Sequence, residues 1–143
     1  MKQEDKELLL KDLCSRLPYG VKVCTTDNDG SLKNVWDVLW YNTFTEDIKL
    51  IHSVEDASKL DDICEVKPYL FPLSSISYKQ FKSIERYLKH CEYQYAHSAD
   101  IFEFISIKTY PLEVIDYFNK HHIDYRGLIE RGLAIDASNL NIY

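Results

Sequence analysis

The stretch that decides the fold runs from Val21 to Val54. It opens with Val21-Lys22-Val23-Cys24-Thr25-Thr26, turns through Asp27-Asn28-Asp29-Gly30 and continues as Val35-Trp36-Asp37-Val38-Leu39-Trp40-Tyr41. Thr45-Glu46-Asp47 makes a second turn, and Ile48-Lys49-Leu50-Ile51-His52-Ser53-Val54 follows. In the first run Val21 and Val23 face one way while Lys22 and Cys24 face the other, the period-2 signature of a half-buried strand. Asp-Gly between two such runs is a strong hairpin signal, because glycine accepts the positive φ that a tight two-residue turn needs. The second run is β-branched and aromatic, as strands prefer. Three consecutive strands joined by tight turns make an antiparallel meander rather than βαβ crossovers, so the fold class is α+β. Short contiguous strands also allow the sheet to curl toward a partial barrel.

Helices flank this meander. Residues 3–17 carry Leu10, Leu13, Cys14 and Leu17 at helical spacing, and Pro18 ends the run. Residues 55–65 are acidic and read as a turn. Residues 66–75 hold Pro68 and Pro72 around Tyr69-Leu70-Phe71; prolines so close argue against a central strand and for an extended segment at the sheet's edge or surface. Ser77 and Gln80 form a capping box, with Ile76 and Phe81 at the staple positions, so a helix runs from there to about residue 92. Ile101–Ile107 reads as a fourth strand. Pro111 opens a helix with Leu112, Ile115 and Phe118 inward, and Asp124 caps a short helix ending at Gly132. The expectation is one domain over residues 1–143, a small meander packed with three to four helices, with residues 137–143 loosely attached.

The 143 residues are 45% hydrophobic and 28% charged, with only four glycines and four prolines, which excludes low-complexity and collagen-like chains. The net charge of −6 repels a phosphate backbone, so binding to nucleic acid by bulk charge is not expected. Lys79, Lys82, Arg86 and Lys89 share a helix, but Glu85 and Glu92 dilute them into an ordinary solvated face. No apolar run is long enough to cross a membrane, and the charged start Met1–Glu7 is not a signal peptide. Cys14, Cys24, Cys64 and Cys91 are widely spaced, which suits reduced, mostly buried thiols in a cytoplasmic protein.

Motifs that carry chemistry are weak. Asp27–Gly30 is not a calcium loop: with Gly30 at position 6, the ends of the loop would be Thr25 and Trp36. His121-His122 with Asp124, and His90-Cys91 with His97, lack metal-ligand spacing, so no metal and no cofactor is expected. Ser74-Ser75 has no nucleophile elbow and suits a turn or cap. Arg126 could grip a carboxylate or phosphate, or pair internally with Asp124 or Glu130. Eleven of the nineteen aromatics are tyrosine, more than a core needs, which points to a protein-contacting face and to a protein partner or a homodimer.

Three stretches together carry a family resemblance: Leu17-Pro18-Tyr19-Gly20-Val21; Lys67-Pro68-Tyr69-Leu70 with Pro72 and Ser74-Ser75; and His121-His122, Asp124-Tyr125-Arg126-Gly127-Leu128-Ile129, Gly132-Leu133-Ala134. The chain resembles a family of small uncharacterised proteins from gut Bacteroidetes and their phages or mobile elements. It departs from that pattern at Phe71, where Arg is expected, and in its tail from Asn139. The resemblance implies a bacterial cytoplasm or a phage-infected cell, and it names no activity or cofactor. The resulting expectation is a non-enzymatic accessory protein that contacts another protein. The alternative is a small ligand-binding domain or enzyme whose surface uses Tyr69, Ser74, Ser75, His122, Asp124, Tyr125 and Arg126.

Overall fold

The computed structural model describes all residues except 27–31, 43, 44, 46, 53–56 and 91–109. The expected strand at Ile101–Ile107, together with Cys91 and His97, lies outside the described residues. Among those described are helices α1 (Gln3–Arg16), α2 (Tyr78–His90) and α3 (Leu112–Lys120). The strands are β1 (Lys22–Thr26), β2 (Leu32–Tyr41), β3 (Asp47–His52), β4 (Ala57–Asp62), β5 (Val66–Pro72), β6 (Ile123–Asp124) and β7 (Ile135–Asp136). The order β4-β3-β2-β1-β5-β6, with β7 also on β5, is linear, so the sheet is open and not a barrel. The fold is α+β.

β1 to β4 form the antiparallel meander. It has one strand more than the sequence reading gave, because the acidic segment 55–65 contains β4. Its period-2 pattern is hidden: Lys59 and Asp61 take the core side of an edge strand, opposite Leu50 and Ile48, and Leu60 takes the solvent side. β5 is a second correction. Despite its prolines it lies inside the sheet, antiparallel to β1 and parallel to β6 and β7. The ladder to β1 stops at Pro68 and the ladder to β6 stops at Pro72, so each missing N–H falls where a pairing ends.

The period-2 pattern sorts the two faces. Val21, Val23, Trp36, Val38, Ile48, Leu50, Val66 and Leu70 pack under Leu9 and Leu13 of α1 and under Leu128, Leu133 and Ala134. On the opposite face Cys24, Tyr69 and Ala137 form a smaller cluster with Val35, Phe71, Ile135 and Ile142. A register shift between Val38 and Trp40 makes Leu39 a bulged residue. Trp40 then pairs with Lys49 on the solvent face, and Tyr41 returns to the core side opposite Ile48.

A third cluster joins α2 and α3 to the sheet: Ile76, Phe81, Ile84, Tyr110, Val114, Phe118 and Ile123. The capping box is present. Gln80 N donates to Ser77 Oγ at 3.3 Å, and Gln80 Oε1 accepts from Ser77 N at 2.9 Å. Ile76 and Phe81 are both buried in the same cluster, as a staple requires. The inward face of α3 meets the expectation at Phe118 and, half-buried, at Ile115, but not at Leu112. Val114, Phe118 and Asn119 are buried, while Leu112 is 80% exposed at the helix start. The stripe of α1 is likewise shifted by one position, to Leu9, Asp12, Leu13 and Arg16, leaving Cys14 exposed. Cys64 is also exposed, so of the three described cysteines only Cys24 is buried. Gly20, after the short helix Leu17–Tyr19, has φ +68 and lets the chain reverse from α1 into β1.

Candidate functional site

α1 carries Asp12 and Arg16 one turn apart on its apolar face, and both are fully buried. A buried charge survives only when paired and hydrogen-bonded. Arg16 Nε donates to Asp12 Oδ2 at 2.8 Å and Nη2 to Asp12 Oδ1 at 2.9 Å. The same guanidinium donates to Ile123 O at 2.8 Å and to Phe118 O at 3.2 Å. It thereby reaches a carbonyl in the last turn of α3, where the intrahelical hydrogen-bond ladder runs out. Arg126 Nη1 adds a third ion-pair contact, to Asp12 Oδ1 at 2.7 Å, and its Nη2 donates to Ser15 Oγ at 3.2 Å. The internal partner of Arg126 is therefore Asp12, not Asp124 or Glu130. Tyr125 lies between the two cations, 5.7 Å from Arg16 and 4.3 Å from Arg126, within range of favourable cation–π contact.

Asp124 is buried and its two oxygens accept from Leu128 N at 2.9 Å and Ile129 N at 2.8 Å. It caps a series of turns over 128–134 rather than the short helix expected there. Tyr69 is buried, and desolvation plus a hydrogen bond with Cys24 pushes its phenol up to about 12. Ser75 Oγ donates to Pro72 O at 2.6 Å, a local turn contact. Ser74 is exposed.

His122 follows the end of α3 with φ 54. Histidine is one of the few side chains enriched in this left-handed conformation, which here reverses the chain into β6. Its ring is buried and stacks on Tyr143 with centroids 4.0 Å apart and planes 10° apart. Its Nδ1 is enclosed without a hydrogen-bond partner among the described residues. Tyr143 donates its hydroxyl to Tyr69 O at 2.9 Å and accepts from Lys22 N at 3.2 Å. The tail expected to attach loosely thus makes a ring stack and two hydrogen bonds, and Ala137 is fully buried.

A cavity of about 490 Å³ opens beside this stack, lined by Phe71, Ser75, Gln80, Lys120 and His122 among others. A second, of about 280 Å³, is lined by Ser74, Asp124, Tyr125 and Glu130 among others. The seven candidate residues are therefore divided. Ser75 and His122 border one cavity, Ser74, Asp124 and Tyr125 border the other, and Tyr69 and Arg126 are engaged in the interior contacts described above. Asp12, Arg16 and Tyr143 were missed by the sequence reading. The signal for the first two was present: Asp and Arg at i, i+4 on an otherwise apolar stripe.

Burial, then the nearby Arg16 and His121, lower His122 to about 4 against an ordinary 6.5, while Asp12 acts weakly the other way. The native state therefore refuses a proton that the unfolded chain accepts. Stability is highest above pH 6.5 and falls as the pH drops toward 4. The expected loss is about 2 kcal/mol, below the full value of the shift because the ring borders an open cavity. His122→Asn, which also tolerates left-handed backbone, should flatten this part of the stability–pH curve in urea titrations. An unchanged slope would remove His122 from the account.

Among the described residues, no group of three His, Cys, Asp or Glu is placed to hold a metal ion, and no helix is long and apolar enough to cross a membrane. On α2, Lys82 is paired with Glu85 at 2.8 Å, which reduces the basic face. No family model, curated protein or solved structure matches this chain. The class defined by fold and site is thus an α+β domain whose buried charges serve its own interior.

Proposed function

We propose that this chain is a non-enzymatic protein-interaction module, an accessory protein of the phage or mobile-element type acting in a bacterial cytoplasm. The observation that carries this reading is the solvent face of the meander. Leu39 is 55% exposed, Trp40 42% and Leu60 55%; the first two stand on β2 and the third on β4, the strands on either side of β3, on the solvent face of the sheet. Tryptophan is enriched at the energetic centres of protein contacts, and the exposed leucines extend the apolar patch around it. The tyrosines contribute less than their number suggests, since Tyr69, Tyr110 and Tyr125 pack internally. Tagged protein recovered from native cells should hold a partner that the variant Leu39→Glu/Trp40→Glu loses, with an unchanged far-ultraviolet circular dichroism spectrum. Equal recovery by both proteins would overturn the reading.

One observation favours a second reading, a small-ligand site. The larger cavity combines aromatic walls, Phe71 and Tyr143, with Lys120 and a neutral buried imidazole. This suits a ring bearing one negative charge. Benzoate and similar aromatic monocarboxylates should raise the melting temperature and move the His122 ring resonances. No shift at saturating concentration counts against it.

A further inference from the structure

The meander ends at β4, and its outer edge pairs with no other strand among the described residues. A free strand edge is a template for another strand, and natural proteins either block such edges or use them. The pattern on β4 separates those alternatives. Lys59 and Asp61 share the core-side face, opposite Leu50 and Ile48, and Leu60 occupies the solvent face opposite Lys49. Lys59 Nζ and Asp61 Oδ2 lie 2.6 Å apart, yet they are not aligned as a hydrogen bond.

We propose that a second copy of this chain pairs antiparallel along β4, with Leu60 of each copy on the two-fold axis. The proposal rests on the reading of the meander as a contact surface and names its partner. In an antiparallel pair, directly opposed residues share a face. Centring on Leu60 sets Lys59 against the second copy's Asp61, and Asp61 against the second copy's Lys59. The two leucines then meet on the solvent face, and the row Trp40–Lys49–Leu60 continues into its own symmetry mate. The two adjacent centres fail on charge. Centring on Lys59 opposes lysine to lysine, and centring on Asp61 opposes aspartate to aspartate, both destabilising. A slip of one residue opposes residues of unlike faces, which a two-fold axis between two identical strands does not permit. The self-complementary register is thus a property of the sequence Ser58-Lys59-Leu60-Asp61-Asp62. A contact built on six strand residues is smaller than a standard interface, so the dimer is weak, with a dissociation constant on the order of 100 µM.

Sedimentation equilibrium from low micromolar to near-millimolar protein should show the mass rising from 16.9 kDa toward twice that value. Lys59→Asp and Asp61→Lys, each alone, should raise the dissociation constant about tenfold, and the two together should restore it. Leu60→Cys, which places a thiol on the axis, should oxidise to a covalent dimer beyond the level seen in the unaltered protein with its own exposed Cys14 and Cys64. This variant keeps the test decisive if a charge reversal disturbs folding. A monomer at every concentration, or a double reversal no better than either single one, would overturn the proposal. The first of these leaves the capture experiment on Leu39 and Trp40 as the separate test of the contact face.

Discussion

Replacing Arg16 with alanine is expected to cost about 3–5 kcal/mol, which for a domain of this size is a large share of its stability. The reason is what remains behind. Asp12 stays fully buried with Arg126 as its remaining cation, and the carbonyls of Phe118 and Ile123 lose their shared donor. Ile123 O keeps its bond from Tyr125 N, so the loss is that of hydrogen bonds from a charged donor, about 1.5–3 kcal/mol each. Asp12→Asn should be damaging in the opposite sense, because it leaves two guanidinium groups facing each other without a countercharge. The double variant Asp12→Leu/Arg16→Met separates the ion pair from the rest of the network. Apolar replacement of a buried pair is often neutral or better, so part of the loss should return, but the bonds from Arg16 to the carbonyls of Phe118 and Ile123 stay absent, which keeps recovery incomplete. Urea unfolding of the wild type, the two single variants and the double variant gives the coupling directly. A loss under about 1 kcal/mol for Arg16→Ala would show that the network contributes little.

Phe118→Ala is the second large effect, expected at about 3–5 kcal/mol. Phe118 is fully buried, edge-on to Tyr110 at 5.0 Å and stacked on Tyr125 at 5.4 Å. Alanine removes the ring from between two other rings and leaves a void that a close-packed interior fills only in part. The near-ultraviolet circular dichroism of the tyrosines should weaken in parallel. Leu112→Ala, on the same helix but 80% exposed, is the control and should stay within about 0.5 kcal/mol. Equal effects at the two positions would contradict the packing described for α3. Because Arg16 bonds the carbonyl of Phe118, the Arg16 and Phe118 effects should not add.

The sequence made the meander and the capping box legible for a physical reason: both are local. Alternation of Val21 and Val23 states which side is buried, and Ser77 with Gln80 closes its hydrogen bonds within one turn. β4 was not legible, because an edge strand can carry Lys59 and Asp61 on its core side, where a pattern of hydrophobic residues alone sees only polarity. Leu112 and Cys14 were misplaced by one helical position each, since several phases of an apolar stripe fit a short helix equally well.

By itself, then, the sequence determined the fold class, the strand faces of β1 to β3 and the start of α2, all set by neighbours a few residues apart. Tertiary structure alone decided the rest. It placed a proline-bearing segment inside the sheet because two ladders happen to end at its prolines. It joined Asp12 and Arg16 to Arg126, more than a hundred residues away, in one buried network. It also divided the seven candidate residues between two cavities and the interior. Contacts of that kind depend on where distant segments meet, and no local pattern of side chains encodes that distance.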